Sequence, residues 1–209
     1  YPVGGRYDDG GAEKVDASSS TGAAPFKMLT NADRMYIEAE LMSAGVLAGD
    51  AKATLSAAMD ESMKMVDYVV TLVGNTQVIP KLVGSAAVTT YKTKALAEYD
   101  AGSAAKKMEI ILTQKWIGSY GNSVDQYTDY RRTGYPVLFN PNNPAQAPGG
   151  KLQPPISGDP SNPVQPAIQV QLTRAYPLSL PWSNDDLSVN VNAPPQKQPA
   201  SARVFWDKD

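Results

Sequence analysis

Residues 30–74 read TNADRMYIEAELMSAGVLAGDAKATLSAAMDESMKMVDYVVTLVG, with a helical pattern on either side of a glycine-containing turn. Thr30 followed by Asp33 fits a helix N-terminus, because the hydroxyl can accept a free backbone N–H while the carboxylate lies in the positive first turn. This pattern predicts a helix from Asn31 to Ala44 that stops near Gly45. One stripe of the helix is mostly apolar and consists of Ala32, Met35, Tyr36, Ala39 and Met42.

A second helix is predicted from Asp50, the next N-cap candidate, to Gly74. Apolar side chains recur along it at helical spacing, at Leu55, Met59, Val66, Val69 and Val73. Two amphipathic helices joined by a short turn form an antiparallel hairpin, and small side chains allow them to approach closely. The small side chains here are Ala39, Ala44, Ala51 and Ala58. The Gly-Asp-Ala turn resembles that of a tetratricopeptide repeat, although a single hairpin does not establish a repeat.

Further helices are predicted before residue 135. One spans about Thr89 to Tyr99, and a longer one starts after Ser103 as its N-cap and ends near Gly121. Neighbouring faces of the longer helix carry Ala104, Met108, Ile111, Leu112, Lys115 and Trp116. A short helix starts at Ser123 and is closed by Gly134, because glycine is favoured just past a helix C-terminus.

The C-terminal part is rich in proline, with 14 of the 17 prolines between Pro136 and Pro199. Proline fixes φ and removes a backbone donor, which excludes long helices and central strands there. Disorder is one interpretation of such a stretch. Against it, the stretch retains large apolar and aromatic side chains, among them Phe139, Ile156, Tyr176, Trp182 and Trp206. We therefore expect it to pack over the helices, with one short strand in which Ile168, Val170 and Leu172 alternate with polar residues.

These patterns predict a mainly α fold in three parts. Residues 1–27 form an extended lead-in, and residues 28–134 form a helical, tetratricopeptide-like part. Residues 135–209 form an irregular, loop-rich region with little β structure that packs on the helices. A chain of 209 residues with 42% hydrophobic content can bury a core of this size.

Composition removes several classes of function. A net charge of −2, from 19 basic and 21 acidic residues, provides no field that collects polyanions, so we expect no nucleic-acid partner. The absence of histidine and cysteine excludes imidazole bases, histidine-dependent nucleophiles, the usual zinc sites and disulfides. No run of about eighteen apolar residues is present that could span a bilayer. Tyr1 to Gly11 show no signal-peptide pattern and no initiating Met, so we expect the chain to begin inside a longer protein.

Three segments carry a family resemblance. Residues 113–117 (TQKWI), 129–136 (DYRRTGYP) and 204–207 (VFWD) occur in the order seen in proteins of the SusD/RagB family, and the second is the most specific. Residues 180–186 (LPWSNDD) resemble the family's apolar, aromatic and proline segment, and residues 28–63 resemble one of its tetratricopeptide-like helix pairs. The chain departs from the usual pattern, which has Trp, Tyr, Pro and Glu at the positions of Tyr127, Trp182, Ser183 and Asp186.

The resemblance implies the C-terminal part of a SusD-like protein, in which a tetratricopeptide-like scaffold supports a loop-rich ligand surface. Such proteins are not enzymes and use no cofactor. They capture a glycan or other nutrient on the cell surface and deliver it to a SusC-like TonB-dependent transporter. Members are lipid-anchored to the outer membrane through an N-terminal cysteine, which here would lie upstream of Tyr1. Two other classes stay open: a helical-repeat interaction scaffold without sugar binding, and a glycoside hydrolase with two carboxylates.

The site residues are less well specified. No catalytic residue and no metal ligand is predicted, and the ligand-binding candidates are Arg6 and Tyr7, an adjacent guanidinium and ring in a glycine-flanked segment. Arg131 and Arg132 could contact a ligand through bidentate hydrogen bonds, but we interpret them as ties from the short helix to neighbouring carbonyls and carboxylates. The expected structural motif comprises Tyr130, Arg131, Arg132, Gly134, Tyr135 and Pro136, with Trp182 and Trp206 as anchors of the C-terminal region.

Five aromatic residues around the short helix allow two interpretations. They are Trp116, Tyr120, Tyr127, Tyr130 and Tyr135. They could form a platform for the C–H faces of sugar rings, but their helical spacing is more typical of a core, which is our prediction. The acidic pairs Asp8-Asp9 and Asp185-Asp186 could ligate calcium through oxygen. No EF-hand spacing surrounds either pair, so we expect solvated turns.

Overall fold

The structure is a computed structural model that describes residues 24–72, 79–122, 124–137, 151–152, 168–169, 178–198 and 201–205. The chain divides into two compact units, which we call the helical unit, Tyr1–Pro136, and the C-terminal unit, Val137–Asp209. The described part of the helical unit contains α1 (Asn31–Ser43), α2 (Ala51–Leu72), α3 (Ala86–Ala101), α4 (Ala104–Gly118) and α5 (Val124–Thr133). That of the C-terminal unit contains β1 (Lys151–Leu152), β2 (Ile168–Gln169) and α6 (Asn184–Val189). The prediction of a mainly α fold is confirmed.

Helix α1 begins as its sequence predicts. The Thr30 hydroxyl accepts the backbone N–H of Asp33 at 3.1 Å, and the Asp33 carboxylate accepts the Thr30 N–H at 2.8 Å. Two donors of the helix start are thereby satisfied. The helix ends at Ser43, and Gly45 follows with a φ of 75°, a conformation that costs glycine little and lets the chain turn toward α2.

Helices α1 and α2 pack against each other and form the predicted hairpin. Their contact is built from buried small and apolar side chains, including Ala32, Ala39, Leu55, Ala58 and Met59. The Tyr36 hydroxyl lies 2.9 Å from Ser62 Oγ across this contact, so a buried polar group is paired. Helices α3 and α4 complete the core with Ala95, Tyr99, Ile110 and Ile111.

N-caps decide where the next helices begin. Asp50 and Ser103 cap α2 and α4 as predicted, accepting first-turn backbone N–H groups at 3.0 Å and 3.3 Å. Helix α3 begins at Ala86, earlier than the predicted Thr89, because the Ser85 hydroxyl accepts a backbone N–H at 3.2 Å. Ser85 is therefore the N-cap of α3, and this serine was not used in predicting where the helix starts.

Helix α4 ends at Gly118, short of the predicted Gly121. Gly118 lies against the hairpin so closely that a Cβ there would be 3.0 Å from Ser62 Oγ and 3.2 Å from Tyr36 Cε2. The backbone then turns, and Gly121 has a φ of 91°. The end of α4 therefore coincides with a close contact to other helices. Local sequence does not encode such a contact.

Helix α5 ends at Thr133, directly before Gly134 with its φ of 72°, as predicted. The predicted start of this helix at Ser123 and the predicted end of α2 at Gly74 lie outside the described residues. Within the described ranges, the chain has no helix with the length and apolar character needed to cross a bilayer.

The C-terminal unit shows little β structure in its described part, in line with the sequence. Strands β1 and β2 pair antiparallel, with Leu152 opposite Ile168. The predicted strand starts at Ile168, and its later positions lie outside the described residues. Helix α6 was not predicted, and its first turn carries Asp185 and Asp186 at the positive end of the helix.

Candidate functional site

The 129–136 motif places its acidic residue between two cations. Asp129 is 8% exposed; its Oδ2 accepts a hydrogen bond from Lys115 Nζ at 2.6 Å, and its Oδ1 accepts one from Arg132 Nη2 at 3.0 Å. Lys115 is itself only 5% exposed. Buried charges are tolerated only when they are paired and hydrogen-bonded, so this contact ties α4 to α5.

Arg132 extends these ionic contacts from α5 to α1. Both of its terminal nitrogens donate to the carboxylate of Glu40, the second at 3.0 Å, which makes a bidentate pair. The hydrogen bonds to Glu40 are the main cause of a raised pKa for the Arg132 guanidinium. This geometry is that of a structural tie between α5 and α1. We call Glu40, Lys115, Asp129 and Arg132 the ionic cluster.

Two more buried polar groups hold the turn after α4. Lys27 is 4% exposed, and its Nζ donates to the Tyr120 carbonyl at 2.9 Å and to the Gly118 carbonyl at 3.4 Å. Carbonyls at a helix C-terminus lack intrahelical partners and carry partial negative charge, so a lysine is favourable there. Ser119 Oγ also donates to Asp33 Oδ1 at 3.2 Å, which connects this turn to the first turn of α1.

The uncharged residues of the motif shape the end of α5. The Gly134 N–H donates to the Tyr130 carbonyl at 2.7 Å, and the Thr133 hydroxyl accepts the Tyr135 N–H at 3.1 Å. The Tyr135–Pro136 peptide bond is cis, and Pro136 is buried. The motif thus forms the C-terminus of α5 and the hydrogen-bonded turn that follows it.

Four aromatic side chains that we expected in the core are exposed. They are Trp116, Tyr120, Tyr127 and Tyr130, with exposed fractions of 42%, 58%, 41% and 41%. The core prediction is wrong for these four. Helical periodicity misled because α4 and α5 bury charged residues such as Lys115 and Asp129, which pair with each other and leave aromatic faces outside.

Two of these rings border a cavity at the turn between α4 and α5. It has a volume of about 660 Å³ and is lined by Trp116, Ile117, Ser119, Tyr120, Gly121, Asn122 and Gln126. We call it the α4–α5 cavity. Its volume falls within the roughly 300–1,000 Å³ of small-molecule sites, and its walls combine aromatic carbon with neutral polar groups. Gln126 is 8% exposed, and its Oε1 has no hydrogen-bond partner among the described residues.

Another cavity, of about 540 Å³, lies between residues 26–32 and α2. Its rim includes Phe26 and Met28, which are 81% and 79% exposed. Three charged residues line it: Lys64 donates to the Glu61 carboxylate at 2.9 Å, and Lys27 donates to the Tyr120 carbonyl at 2.9 Å. The α4–α5 cavity is the better candidate site, because its lining combines two aromatic rings with the neutral side-chain amides of Asn122 and Gln126.

Comparison with known proteins bears on the family. A family model described as SusD-like, starch-binding and associating with the outer membrane matches residues 4–154, more than half of the chain. The chain belongs to the SusD-like family. Among solved structures, this SusD-like chain is similar to a SusD homologue from Bacteroides fragilis, at 31% sequence identity and a TM-score of 0.38. That match covers 55% of this chain and 25% of the homologue, so the chain spans about a quarter of the homologue's length. A search of curated proteins found no match.

Several predicted site residues of the SusD-like chain lie outside the described residues. They are Arg6, Tyr7, Asp8, Asp9 and Trp206. Trp182 is described: its backbone N–H and carbonyl both bond the side-chain amide of Gln196, at 2.8 Å and 3.0 Å. Lys197 Nζ also lies 4.4 Å from the centroid of the Trp182 ring. These contacts fix Trp182 within the C-terminal unit, and its role as an anchor on the helices stays a prediction.

The structure also describes the surroundings of Arg131, Asp185 and Asp186. The guanidinium of Arg131 lies 5.7 Å from the centroid of the Tyr127 ring, a cation–π distance. Asp185 and Asp186 are exposed in the first turn of α6. The described residues contain no group of three or more acidic side chains arranged to hold a metal ion.

Sequence reasoning missed Gln126. The available signal was its spacing, since Gln126 and Asp129 lie three residues apart on one face of α5 and both are buried. The sequence could not show that Asp129 pairs with two cations while the buried Gln126 Oε1 has no hydrogen-bond partner among the described residues of the SusD-like chain. That difference depends on how α4 and α5 pack.

Proposed function

We propose that this SusD-like protein captures a glycan or other nutrient on the cell surface and delivers it to a SusC-like TonB-dependent transporter. It acts without chemistry and is attached peripherally to the outer membrane by a lipid anchor upstream of Tyr1. The observation that carries the proposal is the family match over residues 4–154, since that family is described as starch-binding and associating with the outer membrane.

The exposed aromatic side chains support glycan capture. Sugar rings have apolar C–H faces edged by hydroxyls, so a sugar site combines aromatic surfaces with neutral hydrogen-bonding groups. The α4–α5 cavity supplies the rings of Trp116 and Tyr120 and the amides of Asn122 and Gln126. These residues lie within one compact unit, close to the turn that Lys27 and Ser119 hold in place.

Binding without hydrolysis is supported by the state of the nearby carboxylates. Glycoside hydrolysis requires two carboxyl groups about 5–9.5 Å apart, one of which protonates the leaving oxygen while the other serves as nucleophile or base. Asp33, Glu40 and Asp129 are each about 7–9% exposed and each bonds a structural partner: Thr30, Arg132 and Lys115 respectively. These acids support the fold and are shielded from a substrate.

Calorimetric titration with a panel of oligosaccharides tests the proposal. We expect saturable heat for at least one sugar, with its chain length unchanged by chromatography after the titration. Heat accompanied by new reducing ends would instead indicate a glycoside hydrolase. If no sugar binds while a barrel transporter still co-purifies, the helical-repeat interaction scaffold becomes the better description.

Delivery is tested separately, by purifying the tagged protein from detergent-solubilised outer membranes. We expect a TonB-dependent barrel of the SusC type to co-purify. The barrel should be absent from a control purification in which an unrelated surface lipoprotein carries the tag. A preparation that binds sugar but retains no barrel, even after chemical crosslinking, would contradict delivery and leave capture intact.

A further inference from the structure

A further cavity, of about 210 Å³, lies within the helical unit where residues of α1, α2 and α4 meet. We call it the Gln114 cavity. An engineered apolar cavity of about 150 Å³ binds benzene, so this volume is enough for a single substituted ring. Six of the described residues that line it have large apolar or aromatic side chains: Tyr36, Met59, Met63, Val66, Ile117 and Tyr120.

One wall of the Gln114 cavity carries a buried amide that is only half paired. Gln114 is 8% exposed, and its Oε1 accepts a hydrogen bond from the Tyr91 hydroxyl at 2.7 Å, which fixes the orientation of the amide. Its Nε2 donates to no described group, and this atom keeps solvent-accessible surface, unlike Gln126 Oε1. Because polar groups in buried side chains are nearly always paired with protein, water or a ligand, Gln114 Nε2 is available to an acceptor that enters the cavity.

The other polar side chains of this cavity are satisfied within the protein. The Ser62 hydroxyl donates to the Ala58 carbonyl at 2.8 Å, so its oxygen accepts the hydrogen bond from the Tyr36 hydroxyl at 2.9 Å. The described lining carries no formal charge, so an ion would find no countercharge there. A sugar ring would bring several hydroxyls into a carbon lining with one free donor, and burying unpaired hydroxyls is costly.

We propose that the Gln114 cavity binds a neutral, single-ring aromatic molecule with one hydrogen-bond acceptor, such as a ketone or ester carbonyl, to which Gln114 Nε2 donates. The thioethers of Met59 and Met63 suit such a ligand, because polarisable sulfur contacts aromatic rings favourably and adapts to their shape. Tyr36 and Tyr120 add aromatic walls. This site goes beyond glycan capture and does not depend on it.

Acetophenone and ethylbenzene are matched probes, because they have nearly the same shape and only the first has an acceptor. Each is titrated into the full 209-residue chain, and binding is followed by proton–nitrogen correlation NMR. The side-chain amide signals of Gln114 are those missing from Gln114→Leu. We expect acetophenone to shift these signals saturably. Gln114→Leu should reduce the preference for acceptor over hydrocarbon by roughly fivefold, the effect of about one net hydrogen bond.

A second pair of variants tests the cavity itself, and it serves also if Gln114→Leu fails to fold. Val66→Phe places a ring in the cavity, so it should abolish acetophenone binding and leave the melting temperature unchanged or higher. Val70→Phe is the matched control, because Val70 is also a partly buried valine of α2 but does not line the cavity. Its dissociation constant for acetophenone should equal that of the wild type.

Three results would overturn the site. The first is acetophenone that leaves the Gln114 amide signals unshifted up to its solubility limit. The second is a Val66→Phe protein that binds acetophenone as tightly as Val70→Phe does. The third is an unchanged preference for acetophenone over ethylbenzene in Gln114→Leu, which would show that Gln114 Nε2 does not donate to the ligand. Glycan capture stands or falls separately, on the oligosaccharide titration.

Discussion

Single residues in this protein combine structural roles that are normally distributed over several side chains. Asp33 closes the capping box of α1 and also accepts a hydrogen bond from Ser119 at 3.2 Å, at the end of α4. Asp129 pairs with Lys115 and with Arg132 at once. A buried carboxylate with both oxygens engaged is sensitive to loss of charge, because its partners remain buried without compensation.

Asp129→Asn should therefore be strongly destabilising. The substitution keeps the size of the side chain, but it leaves Lys115, whose side chain is 6% exposed, without a countercharge. We expect unfolding to become easier by about 3 kcal/mol, which lowers the melting temperature by roughly 6–12 °C for a chain of this size. Thermal unfolding followed by circular dichroism measures the change.

Glu61→Gln is the control for this prediction, because Glu61 and Lys64 form an ion pair on the surface of α2 with side chains 30% and 59% exposed. Pairs of this kind contribute about 0–1 kcal/mol, so the melting temperature should move little. Equal shifts for Asp129→Asn and Glu61→Gln would contradict a special role for the ionic cluster.

The buried hydroxyl of Tyr36 makes the stability of the folded protein vary with pH in the alkaline range. Burial raises the pKa of its hydroxyl above the ordinary value near 10, so the folded protein holds this proton more tightly than the unfolded chain does. The resulting contribution to stability is fully present below about pH 10 and decreases as the pH rises above that value. Tyr36→Phe should be less stable than the wild type at pH 7, where the bond to Ser62 is lost.

Urea unfolding of the wild type and Tyr36→Phe at pH 7, 9, 10 and 11 checks this sign. The stability difference between the two proteins should shrink as the pH rises through the upper part of that series. A difference that stays constant up to pH 11 would show that the Tyr36 hydroxyl keeps its ordinary pKa.

At the scale of elements, most helix boundaries set by local N-caps or glycines could be predicted from sequence, whereas the start of α3 and the end of α4 were placed too late. Thr30, Asp50 and Ser103 all cap the helices assigned to them, because an N-cap is a local hydrogen bond between neighbours in sequence. The end of α4 was placed too late, since Gly118 meets a helix more than fifty residues away in sequence. The six-residue α6 was missed because it lies in a stretch where proline dominates the pattern.

Gly118→Ala tests the close approach of α4 to the hairpin. Alanine favours a helix by up to about 1 kcal/mol over glycine, but its Cβ would lie 3.0 Å from Ser62 Oγ and 3.2 Å from the Tyr36 ring. Both neighbours are buried, and overpacking costs roughly 1–3 kcal/mol, so we expect a net loss of about 1 kcal/mol. The melting temperature should fall by roughly 2–4 °C.

Thr93→Ala is the matched control for helix propensity, because Thr93 is exposed on α3. It should keep or raise the melting temperature. If Gly118→Ala raises the melting temperature as much as Thr93→Ala does, α4 and the hairpin can separate enough to accommodate the methyl group, and the contact is not a close one.

At the scale of the whole molecule, the mainly α fold and the family could be predicted from sequence, and the candidate site could not. The 129–136 motif carried the resemblance because its ionic contacts support the fold. The exposure of Trp116 and Tyr120 could not be read from periodicity, since it depends on charged residues taking the buried positions of α4 and α5. Periodicity identifies a stripe but not which stripe faces the core.

Trp206→Ala tests whether the C-terminal region packs on the helices, as the sequence predicts. A buried tryptophan contributes roughly 3–5 kcal/mol, so its loss should lower the melting temperature by several degrees. Calorimetry would measure the change, with Trp182→Ala as a second anchor variant. An unchanged melting curve for Trp206→Ala would refute its role as an anchor.

Hydrogen–deuterium exchange with and without a saturating oligosaccharide tests most directly whether the α4–α5 cavity binds glycan. Backbone amides from Trp116 to Tyr127 should exchange more slowly when the sugar is bound, while those of α3 should be unaffected. Saturating sugar that protects only other parts of the protein and leaves Trp116 to Tyr127 unchanged would contradict the account.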